Sequence, residues 1–466
     1  MSCELTLKEL AVAVDGEIIS AVNSKFSGVV TDTRASLEGH LFVALRGESF
    51  DAHDFLNKKL NPAILLVDRI TSDILQMADR VSIVIVEDTL IGLQNLAHYW
   101  REKLNTPIFA ITGSNGKTTS KEFTAQILSD LMPVHYSKGS FNNHWGVPFS
   151  LLGLAKTHKS AIIEMGMNHE GELKALCKIA RPNVTVVTMV GSSHIGYFKD
   201  QSHVAKAKEE IYRYSPESIK IFNLDNAHTL KMYKHYRPHS ACLTFSSEKT
   251  EADVFLKVVS SGLTYLEVEG YIRGGSGAAK VNVFGEHNIV NLMVACCGAL
   301  ALKVPAKEIW KQIEKCKTSW GRNQLFTYDG QVDVLFDAYN ANPESMAALL
   351  SNTKKISVVG KKIAILGEMG ELGEFSQQFH EKLAHQVKES SFDLVWFVGP
   401  SQQQFGKCLV SEGFKNSLLL SDTYNELLDK QVQNMLNPGD VVLIKGSRFN
   451  RLEKILDSWA PHLESK

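Results

Sequence analysis

At 466 residues the chain is long enough for two to four domains at ~150 residues each, and an apolar content of 44% allows several real cores. Fifty basic side chains against 51 acidic ones leave a net charge of -1, which excludes a dedicated nucleic-acid binder while permitting a local basic cleft for phosphates. Seven scattered cysteines with no C-x-x-C read as reduced thiols. Glu4 and Glu9 in place of a basic n-region predict no secretory leader, and the longest apolar run, 292–302, falls short of the ~18 residues a membrane span needs. The expectation is a cytoplasmic protein with no membrane insertion.

Short strand-like runs open the chain at 28–30, 41–45, 63–67 and 81–86. A helix over 88–104 follows, with Leu93, Leu96, Ala97, Trp100 and Leu104 on one face, expected to pack on the block after it rather than the block before. From 105 the text alternates. An apolar strand at 108–111 leads into Thr112-Gly113-Ser114-Asn115-Gly116-Lys117-Thr118-Thr119, and Phe123, Ile127, Leu128 and Leu131 continue at helical spacing until Pro133. Strands at 160–163, 183–190 and 220–223 are separated by helices at 170–180 and 203–214. Hairpin texture then takes over at 254–259, 263–268 and 281–284, before a long apolar helix at 288–302. Strands at 332–336, 362–366, 394–398 and 441–444 form a third block. The predicted fold is α/β in three domains. A small α/β domain covers 1–87. A central phosphate-loop domain, a doubly wound and mostly parallel sheet with a β-hairpin extension, covers 88–316. A Rossmann-like α/β domain covers 317–466.

Strand, Gly-rich loop, Lys-Thr and helix together make a phosphate cradle. Glycine lets backbone N–H groups turn inward, the helix N-terminus favours negative charge, Lys117 can reach the terminal phosphates and Thr118 can hold Mg²⁺. Position 111 is Ile, so the loop departs from G-x-x-x-x-G-K-[ST]. A Gly-rich turn without nucleotide is the plainer alternative. Ligands of an open parallel sheet bind beyond the carboxyl ends of its strands. Glu164 ends one such strand and His194 lies just past another, so both are candidates for Mg²⁺ beside the loop. The alternatives are a helix cap or surface acid for Glu164 and a satisfied loop histidine for His194. Lys206 and Lys208 lie on an amphipathic helix, where lysines are ordinarily solvated.

The form T-G-S-N-G-K-T-T resembles the ATP loop of the Mur ligases and folylpolyglutamate ligases. The likeness extends over almost the whole chain. Thr31-Asp32-Thr33-Arg34 and Arg46-Gly47 resemble the part of a Mur ligase that binds the UDP of the precursor, although by themselves they read as a surface turn. Four segments resemble the branch that adds D-alanyl-D-alanine. They are 142–148 with Asn142 and Asn143, 164–172, 337–343 with Asp337, Tyr339, Asn340 and Asn342, and 366–373. Arg322 in G-R-N-Q resembles the family's γ-phosphate arginine. Asp337 and Tyr339 match positions near the nucleotide, and Asn288 and Asn291 match the adenine-side helix. For Asn288, helix capping is the competing explanation. Lys208, with Lys206 as fallback, matches a lysine that the family carbamylates to hold Mg²⁺. Lys445 in K-G-S-R matches a substrate-carboxylate position, a solvated basic turn being the alternative. Most relatives carry an acid two positions after His194, where this chain has Gly196.

The resemblance implies an ATP-dependent ligase that adds D-alanyl-D-alanine to UDP-N-acetylmuramoyl-tripeptide through an acyl phosphate, in peptidoglycan precursor synthesis and so in cell-wall biogenesis, cell shape and division. ATP and Mg²⁺ are the implied cofactors. The implied nucleotide ligands are Gly113 to Thr119 with Asn288, Asn291, Arg322, Asp337 and Tyr339. Lys117, Lys208, His194 and Arg322 are the implied catalytic group, and Thr118, Glu164, His194 and Lys208 the implied metal set. Only small-molecule partners are expected, with the protein a monomer. Two rivals remain, another Mur or folylpolyglutamate-type amino-acid ligase and a non-catalytic or switch-type nucleotide-binding protein.

Overall fold

The computed structural model describes residues 3–47 and 49–465. Packing divides the chain into two units, one of 1–112, 128–186 and 210–220, the other of 113–127, 187–209 and 221–466.

In the first unit, β1 (Glu4–Thr6) leads to β2 (Glu17–Ser20), β3 (Lys25–Ser27), β4 (Val29–Val30), β5 (Leu41–Val43), β6 (Ile64–Val67) and β7 (Ser82–Ile85). β1 pairs with β3, and the others form a sheet in the order β2-β7-β6-β5-β4, parallel except at β2. The two-residue side-chain period sends Phe42, Leu65 and Ile83 to one face, where they close over Leu37, Leu56, Ile74 and Met77. The helix Thr89–Leu104 starts where Asp88 accepts hydrogen bonds from the N–H groups of Leu90 and Ile91. It packs on the helices Gly146–Leu152 and Glu172–Ala180, and also back on Leu7–Val14. The expectation that it serves only the following block is therefore corrected. The reason is Gly92, which lacks a side chain and lets the helix lie against Leu66 of the first sheet. β8 (Ile108–Thr112), β9 (Val134–Tyr136), β10 (Ser160–Glu164) and β11 (Val184–Val187) line up as β11-β8-β10-β9. β10 is parallel to both of its neighbours and places Glu164 opposite Ile111, at the end where the phosphate loop leaves.

In the second unit, β12 (Ile219–Asn223) and β13 (Cys242–Ser246) continue into β14 (Val254–Ser261), β15 (Leu266–Ile272) and β16 (Gly275–Val281). β13 and β14 are parallel, and β14-β15-β16 form an antiparallel meander. The hairpin texture is confirmed, but its third strand is 275–281 rather than 281–284. A Gly-rich, Ala-rich stretch offered no apolar signal, yet it pairs along its full length with β15 and receives Trp310 at Gly277. The last sheet collects β17 (Gln324–Tyr328), β18 (Val332–Asp337), β19 (Lys362–Gly367), β20 (Leu394–Val398), β21 (Ser417–Ser421), β22 (Val441–Lys445) and β23 (Leu463–Ser465) in the order β21-β20-β19-β22-β18-β17-β23. Its alternating residues fill two cores. Leu335, Leu366, Phe397 and Leu443 meet Met346, Leu350, Leu383 and Phe405 on one face. Phe336, Ile365, Trp396 and Ile444 meet Val432, Leu452, Ile455 and Trp459 on the other. Helices on both faces of a mostly parallel sheet make this a doubly wound unit, as predicted.

Candidate active site

The loop after β8 is shaped by two glycines. Gly113 has φ +149, and a Cβ there would lie 1.9 Å from Thr188 Oγ1; Gly116 has φ +82, and a Cβ there would lie 2.2 Å from Asn291 Oδ1. Neither space admits a side chain, so the backbone is free to present its N–H groups. The Ser114 N–H donates to the Met189 carbonyl (2.9 Å), and the Gly191 N–H donates to Ser114 Oγ (2.8 Å). The helix Lys117–Ser129 begins at the loop lysine, whose Nζ donates to the Gly113 carbonyl (2.8 Å). Thr118 and Thr119 are buried beside it.

Side chains from the last block converge on this loop. Arg322 donates to Thr118 Oγ1 (3.2 Å) and lies over the Tyr339 ring with its guanidinium carbon 4.4 Å from the centroid, while its Nε has no hydrogen-bond partner. Asn342 and Asn115 exchange two amide hydrogen bonds (2.7 and 3.1 Å). Asn342 also caps the helix Pro343–Lys354. Two helix positions on, Glu344 Oε1 accepts from the Ser192 N–H (2.8 Å) and its Oε2 is buried without a partner. Asp337, at the end of β18, accepts from the Asn323 N–H (3.2 Å) and pairs with the buried Lys445.

A cavity of about 300 Å³ opens beside Asn115 and Gly116 and is bounded by Asn291, His287, Asp337 and Glu344. Asn223, Asp225 and Asn226 line it too. Reading the sequence missed these three, as well as His287 and Glu344; the signal was N-L-D-N at the end of a strand. Asn288 does not cap its helix. It lies inside the turn, donates to the Phe284 carbonyl (2.8 Å) and accepts from Asn291 Nδ2 (2.8 Å), so the capping explanation is set aside. Burial pushes His287 down to about 4, which keeps it neutral.

Lys208 is fully enclosed in the helix Gln201–Arg213, with no hydrogen bond or ion pair to its ammonium among the described residues. Desolvation first, and then the charge of Lys117, drive its pKa well below the usual lysine value. The solvated-lysine alternative does not hold for it, whereas Lys206 is exposed. His194 has φ 63, and its Nδ1 lies 2.7 Å from Glu371 Oε2, outside hydrogen-bond alignment. Burial lowers its pKa against the opposing pull of Glu371. Gly196, where most relatives carry an acid, has a steric reason: a Cβ there would lie 2.6 Å from Gly373 N.

In the first unit, Glu164 is buried, accepts from Asn142 Nδ2 (2.8 Å) through one oxygen, and keeps the other without a partner. It is neither a helix cap nor a surface acid. Asn143 accepts from the Gly146 N–H (2.9 Å) at the start of a helix. Thr31, Asp32, Thr33 and Arg34 line a cavity of about 500 Å³ together with Phe50, Ala52 and Phe55. The two exposed phenylalanines, with ring centroids 6.5 Å apart, were not singled out in the sequence. Arg46 instead turns to Asp68 (2.6 Å), and the Gly47 N–H donates to the Phe50 carbonyl (2.8 Å).

The buried Glu164 oxygen without a partner is the kind of group a hard divalent cation satisfies. Among the described residues no group of three or more His, Cys, Asp or Glu is arranged to hold a metal ion. The sequence-derived set holds only two of these types, because it also uses Thr118 and Lys208.

A Gly-rich loop opening a helix, met by an arginine from a doubly wound unit, is the arrangement of an enzyme that acts on a nucleotide phosphate. The Mur ligase middle domain matches residues 111–299, and the Mur ligase glutamate ligase domain matches 321–448. The UDP-N-acetylmuramoyl-tripeptide–D-alanyl-D-alanine ligase of Escherichia coli K12 is 31% identical over 97% of both chains. Crystal structure I of MurF from Acinetobacter baumannii superposes with a TM-score of 0.88 at 28% identity, over 99% of both chains. The Thermotoga maritima MurF in complex with ADP gives 0.78 at 26%, over 93% of this chain and 97% of that one. The chain belongs to the Mur ligase family, in the D-alanyl-D-alanine-adding branch, and has that family's three-domain α/β fold. It is an ATP-dependent ligase. No helix among the described residues is long and apolar enough to cross a membrane.

Proposed function

We propose that the protein joins the terminal carboxylate of UDP-N-acetylmuramoyl-tripeptide to the amine of D-alanyl-D-alanine in peptidoglycan precursor synthesis. The carboxylate attacks the γ-phosphorus of ATP, ADP leaves, and an acyl phosphate forms. The dipeptide amine attacks its carbonyl, phosphate leaves, and the amine loses a proton. A free carboxylate is a poor electrophile, so the phosphate supplies the leaving group. The observation that carries the reading is the convergence of Lys117, Arg322 and the buried Lys208 about one phosphate loop. Lys117 and Arg322 balance the charge that grows on the transferring phosphoryl group.

Mg²⁺, when bound, neutralises phosphate charge; Thr118, Glu164, His194 and a carbamylated Lys208 are its proposed ligands. The low pKa of Lys208 supports this, because only a neutral amine adds CO₂, losing a proton as the carbamate forms. The cavity at Asn291, Asp337 and Glu344 suits the nucleoside, with Asn288 supporting Asn291 from behind and Tyr339 holding Arg322. The UDP end of the precursor is assigned to 1–87, at Thr31 to Arg34 and the Phe50–Phe55 pair, with Arg46 and Gly47 shaping that turn. ATP binding is assigned to 88–316 and closure over it to 317–466. Asn142, Asn143, Asn340, Asn342 and Lys445 are assigned to the peptide substrates, either directly or by holding their loops. The enzyme acts as a monomer in the cytoplasm.

Phosphate release measured with ATP, UDP-linked tripeptide and D-alanyl-D-alanine, each omitted in turn, tests the reading. Release is expected only from the complete mixture. Equal release without the dipeptide, or none from the complete mixture, would refute it.

A further inference from the structure

We infer that Glu371 is a positioning residue for His194, fixing which imidazole nitrogen is presented to the site. The inference rests on the reading above, which gives His194 to Mg²⁺. Glu371 lies in the turn after β19 and His194 in the loop after β11, far apart in the chain. The two segments nevertheless meet along a continuous contact. The Gly196 N–H donates to the Glu371 carbonyl (3.0 Å). Gly196 and Gly373 approach so closely that a Cβ at either would lie within 3.0 Å of the other's backbone. Ile195 is buried in the same apolar cluster as Met369 and Leu372.

At the centre of this contact both side-chain partners hold left-handed backbone, φ 63 at His194 and φ 61 at Glu371. Non-glycine residues adopt that conformation rarely and at a cost, so the surroundings must hold it. Its effect here is to bring the Glu371 carboxylate to 2.7 Å from Nδ1. At that separation the carboxylate's charge acts on the Nδ1 side of the ring. A carboxylate at Nδ1 keeps the proton there and leaves the lone pair on Nε2. Glu371 would otherwise be a half-exposed acid in an ion pair worth almost nothing. The docked backbone and the paired left-handed residues favour the positioning role. The consequence is that His194 is oriented only while the last block's turn is seated on its loop.

The test uses the full chain labelled with [¹⁵N]histidine and free of metal, with the His194 signal identified by its loss in His194→Gln. Two-bond ¹⁵N–¹H spectra should show His194 with its proton on Nδ1. In Glu371→Ala the Nε2–H form should become the major one. Mn²⁺ binding in the presence of ADP, followed by electron paramagnetic resonance, should weaken about 10-fold in Glu371→Ala, the lower end expected for an outer-shell partner. Glu374→Ala, the next acid along, should change neither reading. If Glu371→Ala melts early, Glu371→Leu, an apolar near-isostere, decides. An unchanged tautomer and unchanged Mn²⁺ affinity in a folded variant would overturn the inference. The tautomer reading needs no turnover, so it stands or falls separately from the phosphate-release assay.

Discussion

Lys208 is the residue whose environment says most. An ammonium with no anion beside it is costly to bury, so the side chain is held toward its neutral form. If its carbamate serves the metal, Lys208→Ala should be nearly inactive and partly rescued by added short carboxylates. Full activity in a steady-state assay would remove the role. Arg322 meets charge that grows only in the transition state. Arg322→Ala should lower kcat by about 10²–10³-fold with little change in ATP affinity, read from kinetics beside calorimetry. A normal kcat would refute it. His287 carries a pH signature. It is neutral in the fold with a pKa of about 4, against 6.5 for the unreacted side chain. Between those values the unfolded chain binds a proton that the folded chain refuses, so stability falls as pH drops from 6.5 toward 4. His135 is also held at about 4 and adds to the same slope. His287→Gln should flatten it by up to one proton, measurable by urea unfolding at pH 7 and pH 5; an unaltered slope would contradict the burial argument.

At the scale of elements, the site is built from ends. The phosphate loop follows a strand and opens a helix, and Asn342 caps the helix Pro343–Lys354 while holding Asn115 of that loop. Gly116 shows how little tolerance the loop has. Its φ is +82, and a methyl group would collide with Asn291 Oδ1. Gly116→Ala should therefore abolish measurable nucleotide binding in a calorimetric titration, while far-ultraviolet circular dichroism stays that of the parent. Retained affinity would mean that the loop can relax. The helical text of the loop region was legible because lysine, glycine and apolar spacing all signal at short range. The meander was less so: β16 is Gly- and Ala-rich, and only its pairing with β15 makes it a strand.

At the scale of the molecule, the phosphate loop and the last block are joined by Arg322 on Thr118, Asn342 on Asn115, Glu344 on Ser192 and Glu371 by His194. Each contact involves a group assigned to ligand or beside one. ATP and precursor together should tighten this arrangement, because each adds contacts that only the closed state offers. Small-angle scattering should show a smaller radius with both ligands than with neither. A profile indifferent to ligands would exclude ligand-driven closure.

The α/β class, the phosphate loop with Lys117 and Thr118, and the two doubly wound blocks were legible before folding, because they are written in local spacing and in residues a few positions apart. Strand-end position offered Glu164 and His194 as candidates, and resemblance offered Arg322 and Lys208. That Lys208 is enclosed and Lys206 exposed came from packing, since both lie on one helix and differ in what covers them. Packing alone brought Glu344 and the Asn223–Asn226 turn to the cavity beside Gly116, and placed Phe50 and Phe55 beside Thr31. It alone explained Gly196, whose space is filled by a turn more than a hundred residues away. Burial and contact between distant segments are properties of the packed chain, and no local pattern encodes them.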